Sequence, residues 1–234
     1  MSIEWMENFQ NYGTGSTGLA NIVDGMWAEV STTSHHDMVS DPDGVSSGNV
    51  FRMDGSSDSA EPARRVLPSG NNVTVVGLAF RLWLEELPGG ENQGATIYFR
   101  DLNNSTQATL TVATNGALVL KRGTPASGTQ LAITSIPVIT AAAWNHLEIK
   151  MTIDDSAGAC EVRVNGVTRM DVDTLDTKAT SETGCAQVAF TASGSAGNPG
   201  YNTYWKDIIC WNTSGSVNND FLGDSGWIVT GKHS

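Results

Sequence analysis

The residues that could do chemistry in this chain are mostly acidic, and most come in pairs. Glu85 and Glu86 are adjacent, Asp171 and Asp173 are separated by Val172, and Asp41 and Asp43 frame a proline in DPDG. Paired carboxylates can cleave a glycosidic bond when one acts as acid and the other as base or nucleophile. Neighbours on a strand point to opposite faces, so Glu85 and Glu86 cannot serve one substrate. Asp171 and Asp173 share a face, but no glutamate follows at a useful spacing, and they read as a solvated strand edge. His35-His36 point apart in a strand and chelate poorly in a loop without a third ligand, which Asp37 or Asp41 would have to supply; the segment TTSHHDMVSDPDG reads as a solvated loop. His146 alternates with Glu148 and Lys150 and reads as a surface histidine. No Gly-x-Ser-x-Gly elbow precedes a helix, and GSSDSA and GTGST are loop composition. These patterns point away from an enzyme.

A bound ion is the next question. Asp41 and Asp43 are the candidates for a structural Ca2+, with Asp154-Asp155 or Asp220 and Asp224 as alternatives. Ca2+ takes about six to eight oxygens, more than any of these segments offers alone. No other cofactor is indicated. Sugar binding would instead use an aromatic ring as a stacking surface beside polar groups. Trp83, Tyr98, Tyr201 and Tyr204 are the candidates, and Arg81 shares a strand face with Trp83; the remaining tryptophans read as core.

The 234 residues carry a net charge of −12, from 13 basic and 25 acidic side chains. That surface repels phosphate backbones and argues against nucleic-acid binding. No apolar run is long enough to span a membrane as a helix. The opening MSIEWMENFQNYGTG has neither a basic nor an apolar signal region, so the expectation is a protein made in the cytoplasm without a signal peptide. Cys160, Cys185 and Cys210 are widely spaced and odd in number, which predicts free buried thiols.

The elements that must position these residues read as strands. VTVVGLAFRLWL places Val76, Leu78, Phe80, Leu82 and Leu84 on one face, and Val75, Gly77, Ala79, Arg81 and Trp83 on the other. Ala95–Arg100 follows. Two hairpins turn at Asn115-Gly116 and Asn165-Gly166, a pair that tolerates positive φ. Between them WNHLEIKMTI turns Leu147, Ile149, Met151 and Ile153 inward. Further strands are expected at Ala186–Thr191, Tyr204–Trp211, Trp227–Thr230, Phe9–Tyr12, Trp27–Val30 and Asn49–Met53. A helical turn is expected only near Ala60–Arg65 or Thr140–Ala143. About ten to thirteen short strands predict an all-β, two-sheet antiparallel jelly-roll sandwich with little helix. No linker divides it, so one domain over residues 1–234, with a core of about 4–230, is expected.

The order ENFQNY, DPDGVSSGNVFRM, a TNG hairpin, WNHLEIKMTIDDSAGACEVRVNG and YWKDIICW resembles the concanavalin A-like lectin/glucanase jelly roll in its laminin-G-like form. Glucanases of that family share a Glu-x-Asp-x-(x)-Glu strand, and its polysaccharide lyases an Arg/Glu-rich strand with a His and a Tyr. Neither pattern occurs here, and Arg64-Arg65 lacks the accompanying Glu-Leu-Arg. The closing NNDFLGD, Asn218 to Asp224, is similar to the end of jelly rolls in tailed-bacteriophage structural proteins. The resemblance implies a non-enzymatic virion protein that decorates a head, tail or fibre. Its partners would be other capsid or tail proteins, copies of itself, and host-surface glycans. The alternatives are a carbohydrate-binding lectin-like module and, third, a glycan-degrading enzyme. The loop Asn219-Asp220-Phe221-Leu222-Gly223-Asp224 reads as a closing structure: Phe221 and Leu222 tuck onto the sandwich, Gly223 allows the turn, and Asn218–Asp220 satisfy backbone donors.

Overall fold

The computed structural model describes residues 2–10, 12–15, 27–28, 36–44, 48–55, 63–68, 72–90, 94–193, 202–213 and 220–223. The strands are β1 (Ser2–Glu7), β2 (His36–Ser40), β3 (Asn49–Asp54), β4 (Ala63–Val66), β5 (Val75–Leu84), β6 (Gly94–Arg100) and β7 (Thr106–Val112). They continue with β8 (Leu118–Arg122), β9 (Thr129–Ile133), β10 (Trp144–Thr152), β11 (Gly158–Val164), β12 (Val167–Leu175), β13 (Gln187–Ser193) and β14 (Asn202–Asn212). An eight-stranded sheet runs β12-β11-β10-β5-β14-β3-β2, with β1 also paired to β14, and a six-stranded sheet runs β4-β13-β6-β7-β8-β9. The ladders are antiparallel, as a jelly-roll sandwich requires.

Period-2 alternation builds the core. Val76, Leu78, Phe80, Leu82 and Leu84 of β5 are buried against Ile97 and Phe99 of β6, Leu110 of β7, and Phe190 of β13. Leu147, Ile149 and Met151 of β10 and Trp205 of β14 complete the same cluster. Trp205 packs edge-on against Phe190, with ring centroids 5.0 Å apart. The three cysteines are free and buried, and burial pushes the Cys160 and Cys185 thiols up to about 12.

The opening ENFQNY closes one end of this core. Glu7 Oε1 accepts the Phe9 N–H at 2.9 Å, and Glu7 Oε2 accepts the Tyr12 hydroxyl at 3.0 Å. Arg65, only 2 % exposed, lies 4.0 Å from Glu7 and stacks 4.4 Å over Trp5. A buried guanidinium is tolerated when a carboxylate and aromatic faces replace its water.

The two Asn-Gly hairpins differ in detail. At Asn165-Gly166 both residues take positive φ, 51° and 76°, in a two-residue turn joining β11 to β12. At Asn115-Gly116 only Gly116 does, because the turn is longer: Ala113 N–H donates to Ala117 O, and Asn115 Oδ1 accepts the Ala117 N–H.

Several expectations need correcting. Ala63–Val66 is strand β4 and Thr140–Ala143 a turn, so neither is helical. Phe9–Tyr12 is not a strand; the edge strand is β1, just before it. The segment around His36 is strand β2, and His36 is 6 % exposed with its ring 5.5 Å from Phe51. His146 is 8 % exposed and therefore not a surface histidine. Trp227–Thr230 and, of Trp27–Val30, residues 29–30 lie outside the described residues.

On the outer face of the large sheet, Trp211 lies directly over Gly77. A Cβ at position 77 would fall 1.9 Å from the Trp211 ring. Trp211 is fully buried and packs with Ala79, Ile209 and Leu222 in a small second cluster. Gly77→Ala must therefore displace a packed indole, and we expect it to cost about 1–3 kcal/mol, read as a lower urea midpoint. An unchanged midpoint would mean that Trp211 has no fixed seat.

Candidate functional site

The same outer face carries the residues singled out for sugar contact. Cross-strand register sets Trp83 of β5 between Trp144 of β10 and Tyr204 of β14. Tyr204 is followed by Arg52 of β3 and then Asp37 of β2. One row along, Arg81 lies between His146 and Lys206. Register and alternation together place these side chains on one surface, because they occupy the outward positions of five adjacent strands.

Trp83 and Trp144 are half-buried and meet edge to face, centroids 5.8 Å apart at 64°. Trp144 is pinned twice. Its Nε1 donates to Asp41 Oδ1 at 3.0 Å, and the Lys206 ammonium lies 4.0 Å from the ring centroid. Lys206 also donates to Asp41 Oδ2. Asp41, whose side chain is 2 % exposed, thus joins the edge of the sheet to β10 and β14.

A β-bulge in β14 between Lys206 and Ile209 completes the arrangement. Asp207 takes φ 53°, a conformation that costs a non-glycine residue about 1–3 kcal/mol and is concentrated at binding sites. The bulge brings Asp207 Oδ2 to 3.6 Å from Arg81 Nε. Burial raises the Asp207 pKa, against the pull of Lys206 and Arg81. At the other end, Glu85 accepts from the Tyr204 hydroxyl and, at 2.9 Å, from Asn202 Nδ2. Burial first, then Glu85, pushes the Tyr204 phenol well above its ordinary range.

The sequence-based set is partly gathered and partly split. Arg81, Trp83 and Tyr204 converge, and Trp144, Lys206 and Asp207 join them from positions that alternation alone gave no reason to choose. Tyr204 is 7 % exposed and serves as a support for Glu85, not as an open stacking ring. Tyr98 is not part of this surface. It lies on β6 in the small sheet, on the opposite side of the sandwich, with Arg100 4.9 Å over its ring. Around it run Thr96, Thr109, Thr111 and Thr191, all nearly inaccessible, in a threonine-rich floor that ends in a cleft of about 240 Å³ beside Val119 and Lys121. Tyr201 lies outside the described residues.

The proposed ion ligands are engaged in hydrogen bonds of their own. Both Asp41 oxygens accept from N–H donors, one of them a cation, and the Asp43 N–H also donates to Oδ1 at 3.2 Å. Asp154 is likewise occupied by the Ser156 and Ala157 amides. Among the described residues no three His, Cys, Asp or Glu side chains converge as metal ligands. Asp171 does gain a glutamate, but across the ladder: Glu161 of β11 stands opposite it, tied to Arg163 at 3.1 Å.

Of the closing loop, Asp220 to Gly223 are described. Leu222 packs on Ala79, Ile209 and Trp211, and Arg163 lies 4.0 Å over the Phe221 ring. The Gly223 N–H, at φ 81°, donates to Glu148 Oε1 at 2.7 Å. Asp220 Oδ1 accepts the Phe221 N–H at 2.8 Å. Asn218, Asn219 and Asp224 lie outside the described residues.

No protein-family model matches the sequence, and a search of curated proteins found no match. Solved structures do. Alginate lyase Aly36B superposes with a TM-score of 0.57 at 13% identity, covering 88% of this chain and 95% of that one. A GH131 β-glucanase catalytic domain from Podospora anserina gives 0.56 at 10% identity, covering 92% and 97%. The Emp47p carbohydrate recognition domain gives 0.50 at 9% identity, covering 90% and 97%. At such identities the likeness is one of fold: the chain shares their two-sheet jelly-roll sandwich, the concanavalin A-like fold.

Asp41→Ala strips Lys206 and the Trp144 indole of their buried acceptor, and we expect a loss of about 3 kcal/mol in stability. The wild-type melting temperature should be the same in EDTA and in excess Ca2+. A rise with Ca2+ that disappears in the variant would return Asp41 to the role of metal ligand.

Proposed function

We propose that this protein is a non-catalytic, glycan-contacting jelly roll carried on a tailed-phage particle. The observation that carries the glycan reading is the half-buried Trp83–Trp144 pair, fixed by Asp41 and Lys206 and flanked by side chains that can hydrogen-bond. A sugar ring stacks on such a surface through its apolar C–H face, while its hydroxyls meet the polar rim. Rigid aromatic groups add contact area at little entropic cost. The glycan-directed activities named for alginate lyase Aly36B, the GH131 glucanase and the Emp47p domain support the substrate class.

The non-catalytic reading rests on how the carboxylates of this surface are used. Asp41 is tied to Lys206 and Trp144, Asp207 faces Arg81, and Glu85 holds Tyr204 and Asn202. Each has a supporting task, and none is poised with a second acid across an open cleft as glycosidic hydrolysis demands. The phage reading is supported by the NNDFLGD resemblance; capsid or tail proteins, and other copies of this chain, are then its partners.

A glycan array with wild-type protein and Trp83→Ala tests the binding reading. Wild type should retain at least one glycan, and the variant should lose about tenfold or more in affinity, roughly 1.4 kcal/mol. Trp83→Phe, which keeps a ring, should recover part of it. Release of reducing ends or unsaturated products from the bound glycan would instead make it an enzyme. Mass spectrometry of purified particles from a lysate containing the gene should find the chain, and its absence from particles would sink the virion assignment.

A further inference from the structure

We infer that the Trp83–Trp144 surface selects uncharged sugars and rejects uronates and sulfated sugars. The inference rests on the glycan-binding reading above and deepens it. Its basis is how the charges around the two rings are matched. Arg52 Nη2 is 3.5 Å from Asp37 Oδ2, Arg81 Nε is 3.6 Å from Asp207 Oδ2, and the Lys206 ammonium is bonded to Asp41. Each of these three cations already faces a carboxylate. Glu85 and Asp54 add further negative charge at the Tyr204 end, and both act to raise the Tyr204 pKa.

An anionic sugar seated on the rings would need a cation to turn away from its carboxylate. Lys206 cannot do so cheaply. Its side chain is 14 % exposed, its partner Asp41 2 %, and its departure would leave a buried carboxylate unmatched while uncovering the Trp144 ring. Asp207 is held toward Arg81 by the bulge itself, so that pair is built into the backbone of β14. A neutral sugar asks for no such exchange. Its hydroxyls donate to the second lone pairs of exposed Glu85, beyond its bonds to Tyr204 and Asn202, and to Asp54, which stands opposite Asn202 on β3, and these bonds are strong because the acceptor is charged. The surface therefore discriminates by repulsion of the wrong ligand as well as by attraction of the right one.

The test is a matched panel of hexasaccharides: gluco-, manno- and galacto-oligomers, each beside its C6-oxidised uronate, measured by calorimetry at about 0.5 M NaCl. At that salt the long-range repulsion of the net charge is screened, while contacts at the rings persist. We expect Trp83-dependent binding of at least one neutral oligomer, and about tenfold or weaker binding of its uronate counterpart. Asp54→Asn and Glu85→Gln should each narrow that ratio. A uronate bound as tightly as its neutral counterpart, in a Trp83-dependent manner, overturns the inference and leaves the glycan reading standing. A ratio unmoved by both variants overturns it as well, because the selectivity then does not come from the carboxylates beside the rings. Absence of Trp83-dependent binding to any of the panel or to the array removes the reading and the inference together.

Discussion

The structure depends on one strand having to satisfy two surfaces at once. β5 lies in the middle of the large sheet, between β10 and β14, and its inward residues Val76 to Leu84 are the centre of the core. Its outward residues cannot then be ordinary solvent-facing side chains. Gly77 and Ala79 must be small, because Trp211, Ile209 and Leu222 pack on them. Arg81 and Trp83 are large and lie where that second cluster ends. The division of the outer face into a sealed apolar half and a polar aromatic half is thus written along four alternate positions of one strand. Changing the small half would lift Trp211 and, through β14, disturb the bulge that sets Asp207 beside Arg81.

The two outer faces of the sandwich offer different chemistry. The small sheet packs nearly inaccessible threonines around Tyr98. The large sheet presents rigid indoles, a strained backbone at Asp207, and ion pairs more buried than surface pairs usually are. Strain and buried charge are costs, and proteins tend to keep them where a ligand is bound. Here they hold an aromatic surface in place.

Much of the sandwich was legible in the sequence because alternation is a strong signal when one face is fully apolar. The strand from Val75 to Leu84, the strand from Trp144 to Thr152 and both Asn-Gly turns follow from it. The strands that escaped notice have weaker patterns. β9 is an edge, while β2 hides its two buried positions, His36 and Met38, behind a polar neighbourhood. The site was legible only in part. Register brings Trp144 beside Trp83, and register is a long-range property that no local window contains. The Asp41–Lys206 bond spans 165 residues, and the bulge at Asp207 leaves no mark in the spacing of YWKDIICW. Tyr98 looked equivalent to Trp83 because alternation says which face of its own strand a residue occupies, and nothing about which sheet that strand joins.

The most direct measurement is a spectrum of the indole N–H groups in uniformly 15N-labelled protein, titrated with a glycan selected on the array. The account predicts that the Trp83 and Trp144 signals shift together and saturate at one affinity, while Trp205 and Trp211, fully buried, stay still. It would be contradicted by a titration in which Trp83 and Trp144 do not move and the responding backbone amides are those of Thr96, Tyr98 and Thr111 on the opposite face.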